Sequence, residues 1–453
     1  MKRYVLLAIS MAAAFLGACA GESNFPVATG EGAVRALNAI PASPEVAFLI
    51  EELLLGAASS KGVTATRVYD NLDYTFNFEA LLAGDVTTTR VASQPLKVEA
   101  DKDYTFVISG ALAAPDITIW EADIREWVGT ETVFEARMAH AAETLGSVDI
   151  YFADAVIPPA LGGQIATLAF GEIAAPVDVE EGEYVMTITP AGDDTTILFV
   201  SDPVTITAQA QLMMTVFDGD ENELAPLSVR LFNLATGGTG ALIDSRFPPT
   251  MRFIHGAMNF GNADIYIDDP LTVPVVTDHA FKNFTPFIDV TSGILPVTYT
   301  PPGNTGTTLI DVDETVFAGT RTDFFLVTDA GGTDIKVSNL SDRRSIQTRA
   351  RLSFMNAVGG RIAVNIYLVP EGELLEDHVP IIPLFPLGSA PLQIPVAPGI
   401  YDVYVTEIGE VIGEVIVLSG PNTLDLDYGD VVETIIFENV DPTVVDFAII
   451  PPP

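Results

Sequence analysis

Cysteine is almost missing from this chain. Its 453 residues contain one, Cys19, so no disulfide can form within it and its cores must be held by packing. Basic residues are scarce as well: 21 Lys and Arg stand against 61 Asp and Glu, a formal net charge of −40. Charged residues reach only 18%, below the usual quarter, so the acidity reflects a shortage of cations more than an excess of carboxylates. Such a surface repels nucleic acid and anionic lipid headgroups, and no nucleic-acid partner is expected. Four histidines, with no cysteine beyond Cys19, give a transition-metal centre few ligands. The chain has no His-Glu-x-x-His and no Gly-x-Ser-x-Gly. Two Trp (Trp120 and Trp127) weaken the case for an aromatic sugar platform. After the N-terminal stretch, no eighteen-residue apolar run is uninterrupted; Ile381 to Ile400 is broken by five prolines.

What is present begins with an address. Lys2 and Arg3 precede an apolar run from Tyr4 to Phe15, too short to span a bilayer comfortably. Leu16-Gly17-Ala18-Cys19 follows and resembles the lipobox of bacterial lipoproteins. The resemblance implies cleavage of a signal peptide (1–18), acylation of Cys19 and, with Ala20 next, sorting to the outer membrane. Residues 19–30 read as a tether. The expected address is the bacterial cell envelope, lipid-anchored, with the membrane as one partner through the N-terminal lipid.

A repeated unit fills the rest. Arg stands three residues before His or Asn at Arg35/Asn38, Arg137/His140 and Arg252/His255, and the fourth copy has Ser353/Asn356. Nine residues after each His comes an Asp on a β-branched strand, Asp149 and Asp264; unit four has Asn365 and unit one Ala47. A turn and an alternating strand follow (Gly182-Glu-Tyr184, Gly399-Ile-Tyr401), then a hairpin-like pair and a closing strand. The anchors 38, 140, 255 and 356 lie 102, 115 and 101 residues apart. About seven short strands per unit predict an all-β chain of four tandem immunoglobulin-like antiparallel β-sandwich domains. The expected boundaries are 31–130, 131–233, a linker 234–249, 250–346 and 347–453. Extended in a row, four such units would reach on the order of 150 Å. Glu51 to Ala58 is the one stretch that allows a helical turn.

The Arg-x-x-His-Ala opening, the Val-Asp-Ile-Tyr strand and the Gly-x-Tyr strand resemble tandem bacterial "domain of unknown function 4397" repeats. That resemblance implies an immunoglobulin-like fold on secreted and surface proteins and brings no activity. The Ser-Pro that usually follows His-Ala is absent from units two and three.

Three groups are candidates for chemistry. His140 with Asp149, and His255 with Asp264, could hydrogen-bond across strands, a part used in catalysis and metal sites. The amide versions in the other units favour a structural latch. Arg35, Arg137 and Arg252 are expected in ion pairs, worth little if exposed. Asp218, Asp220 and Asn222 place oxygens at alternate positions, as calcium loops do, but Glu223 stands where the loop needs Gly. No catalytic residue is assigned, and calcium is the one possible cofactor. The expected function is a non-catalytic, lipid-anchored spacer or binding array for an unknown protein or extracellular ligand. A calcium-dependent adhesin and a metal-dependent hydrolase using His140/Asp149 or His255/Asp264 are the alternatives.

Overall fold

Strands of two to ten residues, separated by turns, build eight β-sheets. A computed structural model describes residues 28–154, 163–221, 223–267, 273–328, 335–340, 343–389, 392–409 and 415–452. The expected signal peptide (1–18), Cys19 and most of the expected tether, as well as Asn222, lie outside the described residues.

Unit 1 sets the pattern. Its strands are β1 (Glu31–Asn38), β2 (Val46–Ile50), β3 (Leu53–Ala58), β4 (Arg67–Asp70), β5 (Asp73–Ala80), β6 (Thr89–Lys97), β7 (Lys102–Ser109) and β8 (Asp116–Asp123). One sheet has the order β4-β1-β7-β8 and the other β3-β2-β5-β6. The order recurs in three further units, whose first strands are Val133–His140, Thr250–His255 and Ala350–Ala357. Each sheet pair closes over its own apolar cluster. In unit 1, Phe48, Phe76, Phe78 and Phe106 fill that cluster, with Phe76 and Phe106 centroids 4.6 Å apart.

The all-β sandwich expectation holds, and several details differ from the sequence reading. The first sheet is not wholly antiparallel, because β1 runs parallel to β7, as does its equivalent in every unit. The strand order also departs from the ABED/CFG order of immunoglobulin domains. The expected hairpin after the alternating strand is a crossover, since β6 pairs with β5 in one sheet and β7 with β1 and β8 in the other. Glu51 to Ala58 is no helical turn: a turn at Glu51 (φ 51°) leads into β3, which pairs antiparallel with β2. Much of the expected linker 234–249 is structured. Asn233 accepts the N–H groups of Ala235 and Thr236, the chain reverses through Gly237 (φ 74°), and Thr239–Leu242 adds a fifth strand to the first sheet of unit 2.

The units do not form an extended row. The first sheet of unit 1 packs on that of unit 2, and unit 3 packs on unit 4 in the same way. Leu37, Ala39, Val107 and Trp120 meet Ala139, Ala141, Met213 and Phe232, all buried. Ile254, Phe325 and Val327 meet Met355, Ile435 and Phe437. Period two explains why one strand serves two cores: in β7, Tyr104, Phe106 and Ile108 face the unit's own core, while Val107 faces the neighbour. The pairs also touch each other. Gln347 donates its N–H to Ala42 O at 2.7 Å, and Arg349 Nη2 donates to Asp85 O at 2.8 Å.

Truncating Phe106 to Ala removes a ring shared by three other aromatics. It should cost about 3–5 kcal/mol, read as a lower thermal midpoint of the full chain.

Candidate functional site

The repeated anchors sit at the ends of the first strands, fully buried. His140 Nδ1 accepts the N–H of Ala142 at 3.2 Å, which leaves the proton on Nε2, 3.0 Å from Gly146 O. His255 repeats this with Ala257 N–H at 3.3 Å and Gly261 O at 2.8 Å. Asn38 Oδ1 accepts from Ile40 N–H at 3.1 Å while its Nδ2 donates to Ser43 Oγ and Ala58 O. Asn356 accepts from Val358 N–H at 3.0 Å and donates to Phe385 O at 2.9 Å. A neutral imidazole and a primary amide each offer one acceptor and at least one donor, so His and Asn interchange here without changing the logic. A further shared element follows each edge strand. Lys61, Gly171, Lys282 and Gly388, all at positive φ (60°, 83°, 67° and 63°), donate their N–H to the carbonyl of residue 38, 140, 255 or 356.

The Asp partners lie elsewhere. Asp149 accepts from Gln164 Nε2 (2.8 Å), Thr167 Oγ1 (2.5 Å) and Gly192 N–H (2.8 Å). Asp264 accepts from Asp278 N–H (2.8 Å) and Gly303 N–H (2.7 Å). Asn365 takes the equivalent Leu384 N–H at 2.9 Å. Asp278 and Leu384 have φ of 51° and 52° beside a register shift in the edge pairing, so these side chains capture N–H groups that the ladder leaves over. The expected His140/Asp149 and His255/Asp264 bonds are therefore not formed. The strands that carry the two residues are consecutive in the chain but belong to opposite sheets, so each side chain finds its partners closer to hand.

The arginines are paired as expected, though not at the surface. Arg35 Nη2 lies 2.5 Å from Asp103 Oδ2 with both side chains at most 6% exposed. Its Nη1 is buried without a partner among the described residues. Arg137 holds Glu135 at 2.5 Å and the carbonyl of Asp123 at 2.8 Å. Arg252 grips Asp323 through Nε (2.7 Å) and Nη2 (2.8 Å) and reaches Glu433 of unit 4 at 3.3 Å. Arg343 closes the ring, with Nε 2.8 Å from Glu433 Oε1 and Nη2 on Asp323. Phe287 lies against both guanidiniums, 4.6 and 5.4 Å from their Cζ atoms. Unit 4 carries Ser353 where the other units have Arg, and opposite Ser353 on the parallel strand stands Glu433. Arg343, from the segment between units 3 and 4, supplies the missing charge. Burial raises the Glu433 pKa against the pull of both arginines, and burial likewise raises that of Asp103.

The acidic turn is a clasp. Asp218 accepts from the N–H groups of Glu143 (2.8 Å) and Thr144 (3.3 Å) and from the Thr144 hydroxyl. Asp220 and Glu223 bind the Lys61 ammonium of unit 1 at 3.0 and 2.7 Å. Leu224 N–H donates to Gly319 O of unit 3 at 3.0 Å, and Glu221 accepts from the Ser345 hydroxyl at 2.7 Å. The Asp218 and Asp220 carboxylates expected at a calcium site thus point at separate protein donors, and among the described residues no cluster of three His, Cys, Asp or Glu is arranged to hold a metal ion. A cavity of about 630 Å³ lies between units 1 and 2, lined by Lys102, Glu121, Asp123, Arg125, Glu135 and Arg137. Lys102 binds Glu121 and Asp123 there, and Arg125 pairs with Asp178 and Glu131. Lys61, Lys282, Asp323, Arg343 and Glu433 escaped the sequence reading. The scarcity of cations was the available signal, because in such a chain each Lys or Arg within a turn merits a search for its carboxylate.

Two outcomes follow for the histidines. His140→Ala strands the Ala142 N–H and the Gly146 carbonyl and should cost about 1–3 kcal/mol, whereas His140→Asn should recover more than half of that loss in thermal melts. His279, buried beside His255 with ring centroids 5.6 Å apart, has its pKa lowered to about 4, first by burial and then by the His255 charge. A folded-state pKa below the unfolded value of 6.5 means that the unfolded chain takes up the proton first. The stability it contributes is complete above pH 6.5 and is lost as pH falls towards 4, on the order of 3 kcal/mol in all. Melting at pH 7 and pH 4.5 should show a smaller loss for His279→Phe than for the parent chain.

Comparison with known proteins bears on identity more than on activity. The sequence profile of the family described as Domain of unknown function (DUF4397) matches residues 32–151 and 249–367. Each match starts in or one residue before the first strand of one unit and ends in the second strand of the next. No curated protein matches the chain. Among solved structures, the Bacillus anthracis TIE protein is similar at 11% identity and a TM-score of 0.16, over 91% of this chain and 69% of that one. The crystal structure of CBMbc (family CBM26) from Eubacterium rectale Amy13K, in complex with maltoheptaose, is similar at 13% identity and a TM-score of 0.14, over 41% of this chain and 91% of that one. At such TM-scores neither likeness carries an argument about function. The two profile matches together span more than half of the sequence, and the chain belongs to the DUF4397 family.

Proposed function

We propose that this protein is a non-catalytic component of a bacterial cell envelope, held at the outer membrane by acyl chains on Cys19 and presenting two sandwich pairs as a binding scaffold for a protein or other extracellular ligand. One observation carries the non-catalytic reading. His140, His255, Asp149 and Asp264 all direct their polar atoms to backbone or side-chain groups of their own unit. Both nitrogens of each imidazole are engaged, and every oxygen of the two carboxylates already accepts at least one hydrogen bond from the fold. The lipobox Leu16-Gly17-Ala18-Cys19 supports the anchor. Packing in pairs makes a scaffold a better description than a long spacer. Exposed edge strands such as β6 are the natural places for a partner strand to add.

Cys19→Ser should abolish labelling by a fatty-acid probe and move the protein from the membrane to the soluble fraction. Unchanged labelling and retention would overturn the anchor. The scaffold reading is tested separately by replacing His140 and His255 with Asn together: capture of the bound material should persist, and its loss would make the histidines part of the site.

A further inference from the structure

We propose that the first-sheet face of each unit is a docking surface whose partner is the same face of another DUF4397 unit, so that the sandwich pair, held by its face and not by the connecting peptide, is the unit of assembly. In this chain the occupant is fixed: unit 2 covers unit 1, and unit 4 covers unit 3.

Equivalent positions meet across the face in the first pair. Ala39 and Ala141, each just past its anchor, lie in one buried cluster with Trp120 and Phe232, which stand at matching ladder positions of the last strands. In the second pair the approach is closer. A β-carbon at Gly256 would lie 2.8 Å from that of Ala357, so Gly at this position is what lets unit 4 seat on unit 3.

Polar contacts fix the register of both pairs. Trp120 Nε1 donates to Gly171 O at 3.0 Å. Lys61, on its left-handed turn in unit 1, crosses to Asp220 and Glu223 of unit 2. Lys282, on the same turn in unit 3, crosses to Asp446 of unit 4. The side chains of the Arg252–Asp323–Arg343–Glu433 ring are at most 6% exposed, and the ring is complete only when units 3 and 4 are together. A separate observation agrees. Both family matches begin in the first unit of a pair and run on into the second, so the sequence pattern recurs with the pair. With four units, every such face is covered from within the chain.

The test uses the full chain with a protease site introduced at residues 126–129, between units 1 and 2. After complete cleavage, the unit 1 fragment should co-elute with the remainder in gel filtration. When differently tagged cut chains are mixed, tagged unit 1 should appear on untagged remainder. Lys61→Glu should release unit 1 at least tenfold more readily, and adding Asp220→Lys with Glu223→Lys should restore retention. Gln347→Ala with Arg349→Ala, which removes the Gln347 Nε2 bond to Pro41 O (3.2 Å) and the Arg349 Nη2 bond to Asp85 O (2.8 Å), should change retention less than twofold. Circular dichroism of each intact variant shows whether it folds; if Lys61→Glu does not, Lys61→Met replaces it. Separation of the cut parent chain would overturn the proposal, as would retention that depends on Gln347 and Arg349 but not on Lys61.

Discussion

Two guanidiniums and two carboxylates enclosed between units 3 and 4 constrain the whole second half of the molecule. Removing such charges from water costs several kcal/mol per ion and is offset only if every partner is in place. Arg252 comes from the first strand of unit 3, Asp323 from its parallel neighbour, Arg343 from the connecting segment and Glu433 from unit 4. A unit that swung away would part Glu433 from Arg252 and leave Arg343 only one of its two carboxylates. The ring therefore works less as a source of stability than as a condition on arrangement. Phe287 lies over both arginines.

The first pair solves the same problem with different residues. Arg35 meets Asp103 and Arg137 meets Glu135, each within its own unit, while Lys61 makes the cross-unit contact at the rim. Arg137 also takes the carbonyl of Asp123 at the end of unit 1, just as Arg252 takes that of Pro451 at the end of unit 4. In both pairs the C-terminal end of one unit caps the arginine of the other. Arg35 lacks such a cap, and its buried Nη1 is the one arginine donor left over there. Unit 2 turns back at Gly237 into its extra strand.

Within each unit the anchors show how a chemically suggestive motif can be architectural. An imidazole that accepts from the N–H two residues on and donates to a carbonyl has used both nitrogens. Asn does the same with one amide, which is why units 1 and 4 manage without His. The paired Asp residues serve the edge strand instead, catching N–H groups freed where the pairing slips by one residue. The acidic turn at 218–223 follows the same rule: in a chain with so few cations, its carboxylates find backbone N–H groups, hydroxyls and Lys61.

The sequence alone determined the strand periodicity, the four-fold repeat and the anchor positions. All three are local: period two marks which residues share a face, and spacing marks where a unit begins. That is why Val148–Phe152 was legible as a strand from its β-branched residues and Gly182–Thr189 from its alternation. Tertiary structure decided what covers each face. A strand such as β7, buried on both sides, has the same alternation of side chains as one that meets water on one side, because alternation does not name the neighbour. It also decided the charge partners. Arg252 lies 71 residues from Asp323 and 181 from Glu433, distances at which no pattern in the chain links an arginine to its carboxylate. Only folding brings them together, and the cost of burying a lone charge then makes the pairing obligatory.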